Sequence, residues 1–341
     1  SKVFIAFIAV YVAGLGLAGV FVTLTLAQLI QLGVLVYLQR DVFGGVVLSD
    51  LVRWLKGFSI PCIGVVNGLV YGLDVFLAGV LYGSALPLAY WQAALTVALV
   101  VGMYSNLTAG LYPALLAGGG SREVEKVFRF AMMFGIPMLF GVVFLGEDIL
   151  RLLRPAYAEA APTLYVLVAS QWIGGLGSLI ASVVGGTEDV DKRANVSLRD
   201  YVRSRLFRFS LAGLFLNTAY VAAVSVVAFA ARTGGWRPAD TAYAWAYVHL
   251  GLSTAGLLVG YLFSRRRLVF KVPWQSIVRY SGMSALMLAL MYPLYLFVPP
   301  SNTAVVQFVR VAAMLAAGLA TYFSAVILFD REGREMVKIL I

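Results

Sequence analysis

Residues 3–38, VFIAFIAVYVAGLGLAGVFVTLTLAQLIQLGVLVYL, contain no charged side chain. A helix rises about 1.5 Å per residue and needs about 20 apolar residues to cross a bilayer. The stretch is therefore too long for one span, and Gly14, Gly16 and Gly19 predict a break between two helices. It does not alternate as a barrel strand does, and lipid penalises unpaired backbone groups, so helices are the expected structure.

The rest of the chain has the same character. Of its 341 residues, 61% are hydrophobic and only 12% are charged, with a mean hydropathy of +0.90. Soluble domains average about 45–50% apolar and about 25% charged residues, so this chain needs lipid as its solvent. Eight further spans are predicted at 58–83, 86–115, 127–145, 163–184, 209–231, 241–263, 277–298 and 303–329. The predicted fold is an all-α, polytopic transmembrane bundle of about ten helices.

The basic residues predict the orientation. Nineteen Lys and Arg lie at 40–56, 122–129, 192–208, 265–271 and 331–338, whereas the opposite side carries only Arg151, Arg154, Arg232 and Arg237. Short basic loops face the cytoplasm, so we expect a multi-pass protein of the cell membrane with both termini cytoplasmic. The same rule explains the net charge of +10 without a nucleic-acid partner. Residues 41–57 predict a short interfacial helix.

Few residues suggest covalent chemistry. Cys62 is the single cysteine, and no cluster of metal-ligating residues or Walker A motif occurs in the sequence, so we expect no metal, no cofactor and no direct use of ATP. Asp189 and Asp191 form a DxD string of the kind that metal-dependent glycosyltransferases use. It lies in a short basic loop, and the protein is not expected to be an enzyme.

One polar stripe lies on an apolar span. Asn67, Tyr71 and Asp74 follow i, i+4, i+7 spacing and so share one helix face. Asp74 is the one acid that we place deep within a span. Ionisable groups in membranes are costly and usually face a cavity or a partner. A cation or proton site, a substrate contact and a plain interhelical hydrogen bond all remain open for this stripe.

Other polar residues are further candidates for a pathway. Gln171 and Ser178 share a face of one span, and Asn217 lies on the next. Arg310 lies about eight residues into the last span, within snorkelling reach of the outer interface, which we prefer over contact with a phosphate. For His249, the only histidine, packing is preferred over proton relay.

Several strings together resemble the Wzx-type polysaccharide flippases, part of the superfamily that includes MATE multidrug exporters and the lipid II flippase. They are FSIP at 58–61 with LDVFLAG at 73–79, GEDILRLLRPAYAEAAP at 146–162, GTEDVD at 186–191 with LRDYVRSRLF at 198–207, and ILFDREGREM at 327–336. The resemblance identifies the segment from FSIP at 58–61 to LDVFLAG at 73–79, with Asp74, as the seventh family helix and 163–184 as the tenth.

The resemblance implies a domain organisation and a function. Residues 1–57 would hold two helices of an N-terminal lobe and a linker, 58–263 a six-helix C-terminal lobe, and 264–341 two additional helices. The ten helices would be the fifth to fourteenth of about fourteen. The implied function is flipping of a polyprenyl-pyrophosphate-linked oligosaccharide for polysaccharide or glycoprotein biosynthesis, with glycan-assembly enzymes as partners.

Three alternatives stay open. A MATE-like antiporter would use Asp74 to bind H⁺ or Na⁺ in exchange for a drug or cation. A membrane glycosyltransferase would depend on Asp189 and Asp191. An inactive fragment would result if the first four family helices were missing from the functional protein.

Overall fold

The computed structural model describes residues 16–38, 40, 59–188, 198–265, 272–297, 303–330 and 333–334. The chain divides into two compact units, Ser1–Phe58 and Ser59–Ile341. Every long regular element in the described ranges is a helix, and those ranges contain no strand.

The α-helices follow one another with short connections. In chain order they are α1 (Gly16–Leu38), α2 (Ser59–Tyr82), α3 (Leu86–Gly102), α4 (Leu111–Leu116), α5 (Ser121–Leu153), α6 (Ala161–Gly186), α7 (Leu198–Arg203), α8 (Arg205–Thr233), α9 (Pro238–Ser264), α10 (Trp274–Phe297) and α11 (Ala304–Phe329). Two 3-10 segments, Met103–Thr108 and Pro155–Ala160, lie between α3 and α4 and between α5 and α6.

In the described ranges, eight helical elements that are long and apolar enough to cross a membrane confirm the predicted fold class. They have mean hydropathies between 1.3 and 2.0 and are long enough to cross a bilayer. Many of their large apolar side chains are exposed, among them Leu69, Phe76, Phe215 and Val278. An apolar exterior is stable in lipid and not in water, so the protein is a multi-pass membrane protein.

The first unit contributes one described helix. Helix α1 starts at Gly16 and continues through Gly19, so the predicted break does not fall at Gly19. Gly14, the first predicted span and the predicted interfacial helix at 41–57 lie outside the described residues.

One predicted span is interrupted. The continuous helix expected over 86–115 ends at Gly102, and a 3-10 segment and the short α4 complete the crossing. The hydroxyls of Ser105 and Thr108 donate to the carbonyls of Gly102 and Ser105, at 2.8 and 2.7 Å. Such local bonds compete with regular helix geometry.

Helix α5 is longer than predicted, and its extension contradicts the expectation that Asp74 is the one acid deep within a span. Its start is fixed by Glu123, whose Oε2 accepts from the Gly120 N–H at 2.7 Å. It continues past Leu145 to Leu153 and so includes Asp148, which is buried. Asp74 is therefore not the only acid buried within a span.

The second unit packs around two apolar clusters. Helix α2 lies against α8, α6 against α9, and α3 against α5 and α6. In the first cluster, Trp91 of α3 stacks on Trp245 of α9 with ring centroids 4.1 Å apart. Helices α10 and α11 pack on each other and on α5. Their basic end is joined by Asp330, which accepts from Arg279 and Tyr280 at 2.9 Å each.

A glycine in α6 permits the close approach of Tyr104. A Cβ at Gly175 would overlap the Tyr104 ring and lie 2.5 Å from its hydroxyl. Tyr104 cannot easily move, because it is buried and its hydroxyl donates to the Trp172 carbonyl at 2.6 Å. We expect Gly175→Ala to lower the free energy of unfolding by about 1–3 kcal/mol through overpacking. The thermal unfolding midpoint of the purified protein in detergent measures this change.

Gly177→Ala on the same helix is the matched control. A Cβ there would meet only the Leu257 Cα, at 4.0 Å. Because alanine favours a helix over glycine by about 1 kcal/mol, this substitution should be neutral or stabilising. Equal midpoints for the two variants would contradict the packing of Tyr104 against α6.

Candidate functional site

Polar side chains from α2, α6, α8 and α9 meet inside the second unit. The stripe on α2 faces α8 and α9, as its spacing requires. Asp74 is only 3% exposed, and Tyr71 and Asn67 are half-buried beside it. The predicted common face therefore exists, and it faces protein.

The first arm of this polar cluster begins at Asp74. Its Oδ2 accepts from the Tyr220 hydroxyl at 2.7 Å, and its Oδ1 accepts from the Val75 N–H at 2.6 Å. The Tyr220 hydroxyl in turn accepts from Trp245 Nε1 at 2.9 Å. All three side chains are buried. This arm joins α2, α8 and α9 through a carboxyl group.

The second arm is centred on His249. Its Nε2 lies 2.9 Å from the Tyr71 hydroxyl, and its Nδ1 lies 2.6 Å from the Ser170 hydroxyl. Ser170 also lies 2.8 Å from Ser253 Oγ. A neutral imidazole that accepts from Tyr71 and donates to Ser170 satisfies both contacts. His249 therefore has a bonded role and is more than a packed aromatic ring.

A third contact lies one helical turn away. Asn217 Nδ2 donates to Asn67 Oδ1 at 2.7 Å, joining α8 to α2. Of the residues proposed for a pathway, Asn67, Tyr71, Asp74 and Asn217 are thus brought together. Gln171 and Ser178 are not: Gln171 packs at Gly102, and Ser178 is exposed with its carbonyl bonded by Ser182.

The two main arms touch through rings. Tyr71 stacks on Tyr220 with centroids 5.6 Å apart, and His249 meets the edges of both. Among the described residues, no continuous chain of hydrogen bonds joins Asp74 to His249. Asp74 and His249 are the two groups of the cluster that can bind a proton. A change in the charge of Asp74 would alter its hydrogen bond with Tyr220, which packs against the histidine arm.

A small cavity lies one turn from Asp74, toward the less basic end. It has a volume of about 10 Å³, room for about one water, and is lined by Ala78, Pro87, Val224, Thr241 and Trp245. Trp245 connects this cavity to the Asp74 arm through its bond to Tyr220.

Two larger grooves lie elsewhere in the second unit. The first groove, of about 470 Å³, is almost wholly apolar and runs along Val100, Pro137, Met287, Leu315 and Phe323. The second groove, of about 590 Å³, lies at the basic end between α5, α6, α9 and α10. Trp172, Tyr261, Ser264, Arg265 and Trp274 line its wall together with aliphatic side chains. The second groove thus combines an apolar wall with aromatic rings and a cation.

Arg310 does not snorkel, so that interpretation is wrong. It is 3% exposed, and its Nη1 donates to Asp148 Oδ1 at 2.7 Å. Gln307 Nε2 donates to the same oxygen at 3.0 Å, and the guanidinium lies 4.6 Å from the centroid of the Tyr295 ring. Because the buried carboxylate of Asp148 neutralises the guanidinium within the protein, the side chain does not extend to the membrane interface. Arg310 lies in this separate cluster and not beside Asp74.

Several of these partners were not foreseen. Asp148 lies on the same face of α5 as the buried Leu145. Extending the predicted span past Leu145 would have identified Asp148 as a buried acid. Tyr220 and Ser170 gave no local signal, because single hydroxyls are common on packed helices. Asp189 and Asp191 lie outside the described residues, which include no group of acids, histidines and cysteines able to hold a metal ion.

Comparison with known proteins adds no relative: no family model, curated protein or solved structure matches the chain.

Proposed function

We propose that this protein is a membrane transporter that flips a polyprenyl-pyrophosphate-linked oligosaccharide across the cell membrane for polysaccharide or glycoprotein biosynthesis. The observation that supports it best is the second groove. A lipid-linked sugar needs an apolar surface for its tail, aromatic faces for its sugar rings and a cation for its phosphates. Leu179 and Ile180, Trp172 and Trp274, and Arg265 supply these three kinds of contact in one groove.

The buried cluster at Asp74 supports a carrier more than an enzyme. Its groups are bonded to helices and not presented to a substrate-sized space, so the cluster suits a conformational switch. Protonation of Asp74 would weaken the hydrogen bonds that its carboxyl group accepts. It would therefore change how α2 is held against α8 and α9. We propose that the cluster is the two-state element that ion coupling requires.

Charge supports the proposed orientation. Arg265 lines the second groove, and Arg122 and Arg205 lie in the first turns of α5 and α8. By the positive-inside rule this is the cytoplasmic end, where the substrate is made. Glycan-assembly enzymes are then the expected partners, both termini are cytoplasmic, and the resemblance to MATE-like flippases stays part of this proposal.

A MATE-like antiporter is the second candidate, and the small cavity beside Trp245 favours it. The cavity approaches the Asp74 arm from the less basic end, which is the side from which a coupling ion would enter. The ion would be H⁺ or Na⁺. The two candidates differ in cargo and share Asp74 as the coupling group.

Proteoliposomes containing a fluorescent polyprenyl-pyrophosphate oligosaccharide test the proposal. We expect the protein to expose the inner-leaflet substrate to an external quencher. Asp74→Asn should slow flipping about 5–150-fold, which is the factor that corresponds to typical coupling free energies. The amide oxygen can still accept from Tyr220, at the cost of the bond from the Val75 N–H, so the fold should survive, and circular dichroism with thermal unfolding checks this.

Asp240→Asn is the matched control, since Asp240 is an exposed acid on α9 paired with Arg237 at 2.8 Å. It should leave flipping unchanged. Cationic-dye transport that depends on Asp74, without any flipping, would instead identify the antiporter. No transport of either cargo would refute both candidates.

A further inference from the structure

The guanidinium of Arg310 has donors that the protein does not use. Asp148 takes Nη1, and Tyr295 covers one face of the group. Nε and Nη2 are both buried, and neither has a hydrogen-bond partner in the part of the chain that the structure describes. Buried guanidinium donors normally have acceptors, because an unsatisfied one is costly.

The geometry of the two free donors defines their acceptor. Nε–H and one Nη2–H lie side by side on one edge of the planar guanidinium. This edge forms a fork that matches two oxygens of a single phosphate or carboxylate group. Asp148 bonds Nη1, away from the fork, so a ligand on the fork need not displace it.

The charges near the fork include both signs and still allow an anion to bind. Glu147, next to Asp148 in the chain, is neutralised by Arg151 in an exposed ion pair of 2.6 Å. The Arg310 guanidinium attracts an anion, and among the described residues beside it Asp148 opposes that attraction.

Tyr295 lies over one face of the guanidinium and leaves the in-plane edge of the fork uncovered by its ring. It lies in the last turn of α10, two residues after Pro293, and is half-buried. Because proline lacks an N–H, the helical hydrogen bond from position 293 to the Ala289 carbonyl is missing just before this turn.

We propose that the Nε–Nη2 fork of Arg310 binds a phosphate group, supplied either by free phosphate or by a lipid headgroup, in the seam between α5, α10 and α11. This site is at the opposite end from the second groove and does not depend on the transport proposal.

Thermal unfolding of the purified protein tests the site in two arms. In a maltoside detergent, sodium phosphate is titrated against sodium chloride at equal ionic strength. In nanodiscs, phosphatidylglycerol is titrated into a phosphate-free galactolipid. A saturable rise of the unfolding midpoint with inorganic phosphate supports the site with free phosphate as its source. A saturable rise only with phosphatidylglycerol supports it with a lipid headgroup. No rise in either arm overturns it.

Variants connect any rise to the fork. Arg310→Lys keeps the charge and loses the fork, so it should weaken the affinity by about tenfold or more. Asp148→Asn keeps an acceptor for Nη1 and removes the opposing charge, so it should tighten the affinity by on the order of tenfold. Arg151→Lys is the control and should stay within about twofold of the unchanged protein. If Arg310→Lys does not fold, an unchanged affinity in Asp148→Asn overturns the proposal.

Discussion

Replacing Arg310 by methionine is expected to lower the free energy of unfolding by about 3–5 kcal/mol, because it leaves a buried carboxylate without its cation. Asp148 and Arg310 have side chains only 6% and 1% exposed, and their atoms are 2.7 Å apart. After the substitution, Asp148 Oδ1 keeps only the Gln307 amide. Unfolding of the purified protein in a denaturing-detergent titration measures the loss.

The adjacent ion pair provides an unusually close control. Glu147 and Arg151 lie on the same helix as Asp148, with side chains 46% and 43% exposed. Exposed pairs contribute about 0–1 kcal/mol, so Arg151→Met should change stability little. A similar loss from Arg151→Met and Arg310→Met would show that burial does not distinguish the two pairs.

The combination Asp148→Leu with Arg310→Met sharpens the argument. Replacing a buried pair by apolar residues removes the desolvation cost of both charges and is often neutral or stabilising. The double variant should therefore be more stable than Arg310→Met alone. A double variant that loses the sum of both single effects would indicate that the two residues act independently.

The sequence predicted the elements better than their partners. Hydropathy found the eight spans of the second unit, because burial in lipid is a property of each segment by itself. It stopped α5 at Leu145, since the following GEDILR carries charges that a hydropathy window penalises. The cation that neutralises Asp148 lies 162 residues further along the chain. Such neutralisation is tertiary, and no local pattern contains it.

The polar stripe on α2 shows the same division. Spacing placed Asn67, Tyr71 and Asp74 on one face, because helix geometry fixes that relation. Asn217 was found because an amide is uncommon on an apolar helix. Tyr220 was missed, since a tyrosine on a membrane helix usually indicates only an interface or packing position. The identity of a bonded neighbour depends on how α8 is rotated against α2, which the sequence of neither helix fixes alone.

Removing the hydroxyl of Tyr220 is the second change with a large expected effect. Tyr220→Phe keeps the buried ring but leaves two orphaned partners, the Asp74 Oδ2 and the Trp245 N–H, at a cost of about 1–3 kcal/mol each. We expect a loss of about 2–6 kcal/mol of unfolding free energy in total. A shift in tryptophan fluorescence should accompany it, because Trp245 is buried and loses its acceptor.

Tyr243→Phe is the control, since the Tyr243 hydroxyl lies on an exposed face and contacts only Tyr247, at 2.9 Å. It should have almost no effect on stability.

Comparing Tyr220→Phe with Asp74→Asn then distinguishes a structural role of the Asp74 arm from a role in coupling. Tyr220→Phe removes the hydrogen bond between the two residues, whereas Asp74→Asn keeps this bond and removes the charge. If Tyr220→Phe lowers stability and both variants transport normally, the Asp74 arm only holds helices together. If Asp74→Asn remains stable and stops transport, the carboxyl group itself changes state during the transport cycle.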